Sequence, residues 1–174
     1  MPLSMYQITV PVLQRGLGVL STYMDLAEQA AETRKFDPAN LVGARLAPDM
    51  LPLSGQVQRA SDTAKAAMGR LGGIAVPSFP DTEASLAELK QRLANTIAFL
   101  DTVEPAQLDD AGDKTIEIKI GGFALQPTGQ DYALSFVLPN FFFHVATAHA
   151  ILRHNGVPVG KRDYLGSMGP TSKP

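Results

Sequence analysis

The sequence predicts a mostly helical, all-α fold, a four-helix bundle with one small β-hairpin inserted before the last helix. Four long segments repeat apolar residues at alternating spacings of three and four, the period of one helix face. One short stretch alternates apolar and charged residues instead, the period of a half-buried strand. The 174 residues, 45% of them hydrophobic, suffice for one domain with a sizeable core.

The first helix is expected from about Ser4 to Lys35, with Val10, Leu13, Leu17, Leu20, Met24, Ala27 and Ala31 on one stripe. Pro11 should kink or loosen its first turns, because proline removes a helical N–H and crowds the preceding turn. Asp37-Pro38 reads as an N-cap followed by proline at the first helical position, opening a short helix to about Leu46. Asp49 is expected to cap the approach to a second long helix, Leu53 to Leu71, which Gly72-Gly73 ends. Its stripe is Leu53, Val57, Ala60, Ala64, Met68 and Leu71. Asp81 then caps a third helix carrying Leu86, Leu89, Leu93, Ile97 and Leu100.

From Thr115 to Gln126 the period changes. Ile116, Ile118 and Ile120 alternate with Glu117 and Lys119, and Gly121-Gly122 can supply the positive φ angles of a two-residue turn. Phe123 and Leu125 continue the same face on the return strand. Thr128 to Asp131 resembles a capping box for a last helix that runs to about Asn155, with Gly156 and Pro158 beyond. That helix has two apolar stripes. One holds Val137, Phe141, His144, Ala148 and Ile151; the other holds Leu138, Phe142, Val145, His149 and Leu152. One face should pack in the bundle, and the hairpin, the N-terminal segment or a second subunit should cover the other. The domain is expected to occupy 1–166, with a Gly-, Pro-, Lys- and Ser-rich flexible tail over 167–174.

Composition narrows the function classes. Fifteen basic and 17 acidic side chains are dispersed without a basic block, so no nucleic-acid partner is expected. No uninterrupted apolar run approaches the roughly 20 residues of a membrane span, and the N-terminus lacks a signal-peptide pattern. No membrane partner and a cytoplasmic location are therefore expected. The absence of cysteine excludes disulfides, thiolate metal sites and a cysteine nucleophile. No serine lies in a nucleophile elbow, and Arg15-Gly16-Leu17-Gly18, sitting mid-helix, is not a phosphate loop. Lys161-Arg162-Asp163 reads as a solvated charge cluster.

Leu46-Ala47-Pro48-Asp49-Met50, Pro139-Asn140-Phe141-Phe142-Phe143-His144, Leu152-Arg153-His154-Asn155-Gly156-Val157 and Gly160-Lys161-Arg162-Asp163 resemble a bacterial family of unknown function. That family looks like a branch of the DinB/YfiT-like four-helix-bundle superfamily. The resemblance implies a divalent metal, zinc or nickel, held by three histidines: one from the second helix and an HxxxH pair on the last. It also implies a relationship to thiol-dependent transferases. Aligning Leu152-Arg153 and Gly156 with the pattern puts His144 on the second histidine of the pair and Asn140 on the first. The second helix contains no histidine. With two of three ligands missing, no stoichiometric metal or other cofactor is expected, and His144 is the ligand if any metal binds.

His144 and Asn140 lie one turn apart on one face, and are candidate ligand-binding residues. Gln58 and Asp62, four apart on the second helix, are the candidate partners facing them, an Asp–His pair being able to tune the histidine as a base. Two plainer readings stand beside these: a core histidine satisfied by one polar neighbour, and a solvated helix face shared by Gln58, Asp62 and Lys65. His149 lies ~140° around the helix from His144, and His154 ~15 Å further along, so neither completes a metal site. His154 suits the negative end of the helix dipole. The first functional expectation is a small ligand bound in an axial pocket near His144. The second is a metal-dependent hydrolase or thiol-type transferase using His144. The third is a dimeric scaffold, and a homodimer through the last helix is expected from that helix's apolar excess.

Overall fold

The computed structural model describes residues 3–120 and 122–166; the 167–174 tail and Gly121, half of the expected turn, lie outside them. In chain order the elements are α1 (Met5–Arg34), α2 (Ala39–Val42), α3 (Leu53–Gly72), α4 (Leu86–Asp101), a 3-10 turn (Pro105–Leu108), β1 (Ile118–Ile120), β2 (Phe123–Leu125), α5 (Gly129–Asp131), a π-helical stretch (Tyr132–Val137), α6 (Leu138–His154) and α7 (Lys161–Leu165). The long helices α1, α3, α4 and α6 form the bundle. α1 packs on α4 and α6, α3 packs on the same two, and α1 faces α3 across the diagonal.

The helix ends follow local chemistry. Ser4 and Gln7 close a reciprocal capping box at the start of α1, and Lys35 ends it in the left-handed conformation. The helix runs unbroken through Pro11. At α2, the Asp37 carboxylate accepts from the Ala39 N–H at 2.9 Å, but the helix stops at Val42 rather than near Leu46. α3 begins after Pro52 without a side-chain cap, so Asp49 does not take the role expected of it, and Gly73 ends the helix with φ 65°.

The cap of α4 is Ser85, not Asp81. Ser85 Oγ accepts from the Glu88 N–H at 3.2 Å while Glu88 accepts from the Ser85 N–H at 3.0 Å. Asp81 is drawn away by ion pairs to Arg59 and Arg92.

All four stripes read from the sequence are turned inward. Leu13, Leu17, Val57, Leu93 and Phe141 are fully buried, as are Val145 and Leu152 on the second stripe of the last helix. α1 covers much of that second face. Tyr23 donates to, or accepts from, His149 Nδ1 at 2.7 Å, and α7 adds Tyr164 against the same ring. The helical run Gly129–His154 has 26 residues and contains an 18-residue stretch of mean hydropathy 1.3, long and apolar enough to cross a membrane by length and composition. Here its apolar side is packed against α1 and α3 as the core helix.

β1 and β2 pair antiparallel, Ile118 with Leu125 and Ile120 with Phe123. Gly122 has φ 86°, the positive angle the tight turn requires. Ile116 and Ile118 are buried, whereas Phe123 and Leu125 share their side of the ribbon but are 73% and 49% exposed. β2 is the outer strand, so its apolar residues pass beyond the edge of the bundle. Thr128 Oγ1 accepts from the Asp131 N–H at 3.1 Å and starts the final helical run. The π-helical stretch falls directly before Pro139, which has no N–H for the Ser135 carbonyl and would crowd it in α register.

Candidate functional site

The candidate site lies where α3 faces α6 and the π-helical stretch, with β1 closing one side. Three side-chain pairs set the antiparallel alignment of these elements: His144 with Gln56, Asn140 with Thr63, and Tyr132 with Arg70. Between them is a cavity of about 400 Å³, within the range of small-molecule sites. Its walls include Leu51, Arg59, Asp62, Thr63, Ala66 and Arg70 from the α3 side, Ile118 and Lys119 from β1, and Tyr132, Phe136, Asn140 and His144 from the last helical run.

His144 is 8% exposed. Its Nδ1 is 2.8 Å from Gln56 Oε1, and Gln56 Nε2 donates to the Leu51 carbonyl at 3.1 Å. A backbone carbonyl only accepts, so the amide nitrogen of Gln56 must face Leu51 and its oxygen must face the ring. His144 therefore carries its proton on Nδ1 and leaves a lone pair on Nε2. That atom has no protein partner among the described residues and is not sealed from solvent. Burial, reinforced by the positive Arg59 nearby, holds the His144 pKa below the usual histidine value of 6.5. The ring is neutral at pH 7, an acceptor on the lining of the pocket.

Asn140 is ordered by the same logic. Thr63 donates its hydroxyl proton to the Arg59 carbonyl at 2.7 Å, so its oxygen accepts from Asn140 Nδ2 at 2.8 Å. The Asn140 carbonyl oxygen is left without a protein donor among the described residues. The two freed acceptors sit one helical turn apart.

The expected partners from α3 divide. Asp62 lines the cavity but does not touch His144; Arg59, Lys65 and Arg92 hold it at 3.0, 3.2 and 2.9 Å. Gln58 is absent from the cavity wall and donates to Glu83 at 2.9 Å. The partner the sequence reading missed is Gln56, which is 2% exposed. Its signal was positional, since 56 follows Leu53 by three on the apolar face, where a buried amide needs a polar neighbour.

The α3 flank is partly solvated, the Arg59 and Asp62 side chains being 40% and 36% exposed. Lys65, whose side chain is 4% exposed, stands 3.9 Å over the Phe79 ring and donates to the Pro77 carbonyl at 3.2 Å. Arg92 reaches from α4 to Asp62, Asp81 and Glu83. Burial would raise the Glu83 pKa, but the hydrogen bonds from Arg92 and Gln58 outweigh it and keep the carboxylate ionised. Arg59, Lys65 and Arg92 thus balance Asp62, Asp81 and Glu83 charge for charge.

The donor set does not fit the metal implied by the superfamily. Among the described residues, no group of three His, Cys, Asp or Glu side chains could hold an ion. At the pocket, Asp62 is committed to three cations, Asn140 offers a weak neutral oxygen, and Arg59 adds positive charge beside the one imidazole.

Comparison with known proteins agrees with the architecture. The family described as "Domain of unknown function (DUF1993)" matches residues 5–165. A crystal structure of a DinB family member protein from Shewanella denitrificans is 41% identical, with a TM-score of 0.87 over 97% of this chain and 95% of that one. No curated protein matches. The chain therefore belongs to the DUF1993 family, with the helical fold of a DinB family member.

Proposed function

We propose that this DinB-like protein binds a small organic ligand in the pocket beside His144, without a resident stoichiometric metal. One observation carries the reading: Gln56 fixes the His144 tautomer, leaving a neutral Nε2 acceptor on a side chain that lines the cavity. Two larger grooves, one beside Arg15 and Arg162 and one beside Asp109 and Asp110, contain no buried titratable group. Elemental analysis of protein purified without metal affinity, followed by a fragment screen read at the His144 ring signals, tests the proposal. Fragments with an O–H or N–H donor should shift those signals. Near one equivalent of zinc or nickel bound by His144 would overturn it.

The same geometry favours a second reading, a metal-free hydrolase or thiol-type transferase. An oriented neutral imidazole is the form a general base requires, and a thiol or water proton would pass to Nε2. Turnover lost in His144→Gln, with binding retained, would separate catalysis from binding.

A homodimer through the last helix is a further part of the proposal, supported by Phe143, which is 56% exposed on the outer side of α6. Light scattering should give twice the 18.6 kDa chain mass at tens of micromolar. A monomeric mass would show that α1 and α7 cover the second apolar stripe unaided.

A further inference from the structure

We infer that the pocket selects an elongated amphipathic anion, with its acidic group at Arg70 and Lys119 and a hydrogen-bond donor at His144 and Asn140. The inference rests on the proposed ligand site and adds the class of molecule it takes. Charge balance is the first argument. The Arg59–Lys65–Arg92 and Asp62–Asp81–Glu83 network is neutral in itself. Arg70 and Lys119 line the cavity and make no ion pair among the described residues. Arg70 donates only to the Tyr132 hydroxyl, at 3.0 Å, which leaves most of its guanidinium donors free. A guanidinium with free donors and no ion pair among the described residues, with Lys119 on the lining of the same pocket, suits a carboxylate or phosphate-type group.

Length is the second argument. α3 runs antiparallel to the last helix, with Gln56 level with His144 and Arg70 level with Tyr132. Tyr132, which accepts from Arg70, and Asn140 are eight residues apart, about 12 Å along the helix axis, the reach of an extended eight-carbon hydroxy acid. One compact anion cannot reach both ends. The wall between carries the apolar Ala66, Phe136 and Ile118, beside Asp62 and Thr63, whose polar groups are already engaged by Arg59, Lys65 and Arg92 and by the Arg59 carbonyl and Asn140. The sequence of surfaces is cationic, apolar, then accepting, and the complementary molecule is anionic, apolar, then donating. A carboxylate at the far end from His144 also leaves its imidazole neutral, as the accepting role requires.

The probes are 8-hydroxyoctanoate, octanoate and 1,8-octanediol, titrated into the full chain and followed by amide and His144 ring shifts. Binding of 8-hydroxyoctanoate should saturate, and Arg70→Gln or Lys119→Gln should weaken it about tenfold, as expected for losing one charged hydrogen bond. Octanoate should bind more weakly and leave the His144 ring signals in place. The diol should bind weakly, with no response to either substitution. If the diol binds as tightly as the hydroxy acid and moves His144, the ligand site stands and the anion selectivity is refuted. If none of the three moves His144 while a neutral donor fragment does, the elongated class is refuted alone. Silence at His144 with every donor overturns both. Lys119 is exposed and makes no side-chain hydrogen bond among the described residues, so Lys119→Gln supplies the comparison free of the Tyr132 contact that Arg70→Gln also removes.

Discussion

Gln56 Oε1 accepts from His144 Nδ1 at 2.8 Å, and the Leu51 carbonyl in turn accepts from Gln56 Nε2, so a single backbone oxygen decides which nitrogen of the ring carries the proton. Removing the middle member should be visible in both energy and tautomer. Gln56→Leu leaves the Nδ1–H without an acceptor in a buried place, which costs about 1–3 kcal/mol. A neutral imidazole can escape by moving its proton to Nε2, turning the acceptor into a donor. Long-range proton–nitrogen spectra at neutral pH should show unprotonated Nε2 in the parent protein and a shift toward Nε2–H in the variant. A parent spectrum with Nε2 already protonated would contradict the assignment.

The buried neutral ring also makes stability depend on pH. His144 titrates below 6.5 when folded, by burial and then by the Arg59 charge, and at the usual 6.5 when unfolded. Between those two values the unfolded chain binds a proton that the folded chain refuses. The His144 contribution is therefore complete above pH 6.5 and is lost as pH falls toward the folded pKa, at up to about 1.4 kcal/mol per pH unit. Below the folded pKa it is flat. Urea unfolding of the parent and of His144→Gln, compared at several pH values, isolates the term. Parallel curves for the two proteins would show that His144 titrates normally.

Helical periodicity states which face a residue occupies, and this is why the four stripes, from Leu13 to Phe141, are legible in the sequence. It does not state what stands at the same level on the next helix. Asp62 lies on the flank expected of it, yet Lys65 and Arg59 on its own helix and Arg92 from α4 take its oxygens. Gln56 escapes a hydrophobic pattern because an amide scores as polar, although burial demands partners for both its oxygen and its nitrogen, which the His144 ring and the Leu51 carbonyl supply. Asp81 and Ser85 are both good caps. The choice between them was made by Arg59 and Arg92, from parts of the chain that a local reading does not include. The π-helical stretch is similar: Pro139 signals a disturbance, but only the packed helix shows that it is absorbed one turn earlier.

The close crossing of α1 and α6 depends on Gly16 and predicts the sign of a substitution that helix propensity alone would reverse. In an exposed helix, Gly→Ala stabilises by about 1 kcal/mol, because alanine loses less backbone freedom on folding. At Gly16 a Cβ would stand 2.3 Å from Phe141 Cε1 and 2.8 Å from its Cζ. Phe141 is fully buried, so the ring cannot swing aside without displacing its neighbours. Overpacking of this kind costs about 1–3 kcal/mol, which outweighs the propensity gain. Gly18, two residues on in the same helix, has open space where its Cβ would go, and supplies the control. Gly16→Ala should lower the urea midpoint, and Gly18→Ala should leave it unchanged or raise it. Shortening the opposing side chain, as Gly16→Ala with Phe141→Leu, should recover part of the loss caused by Gly16→Ala, measured against Phe141→Leu alone. A Gly16→Ala protein as stable as the Gly18→Ala control would mean that the two helices stand further apart than the Gly16–Phe141 contact requires.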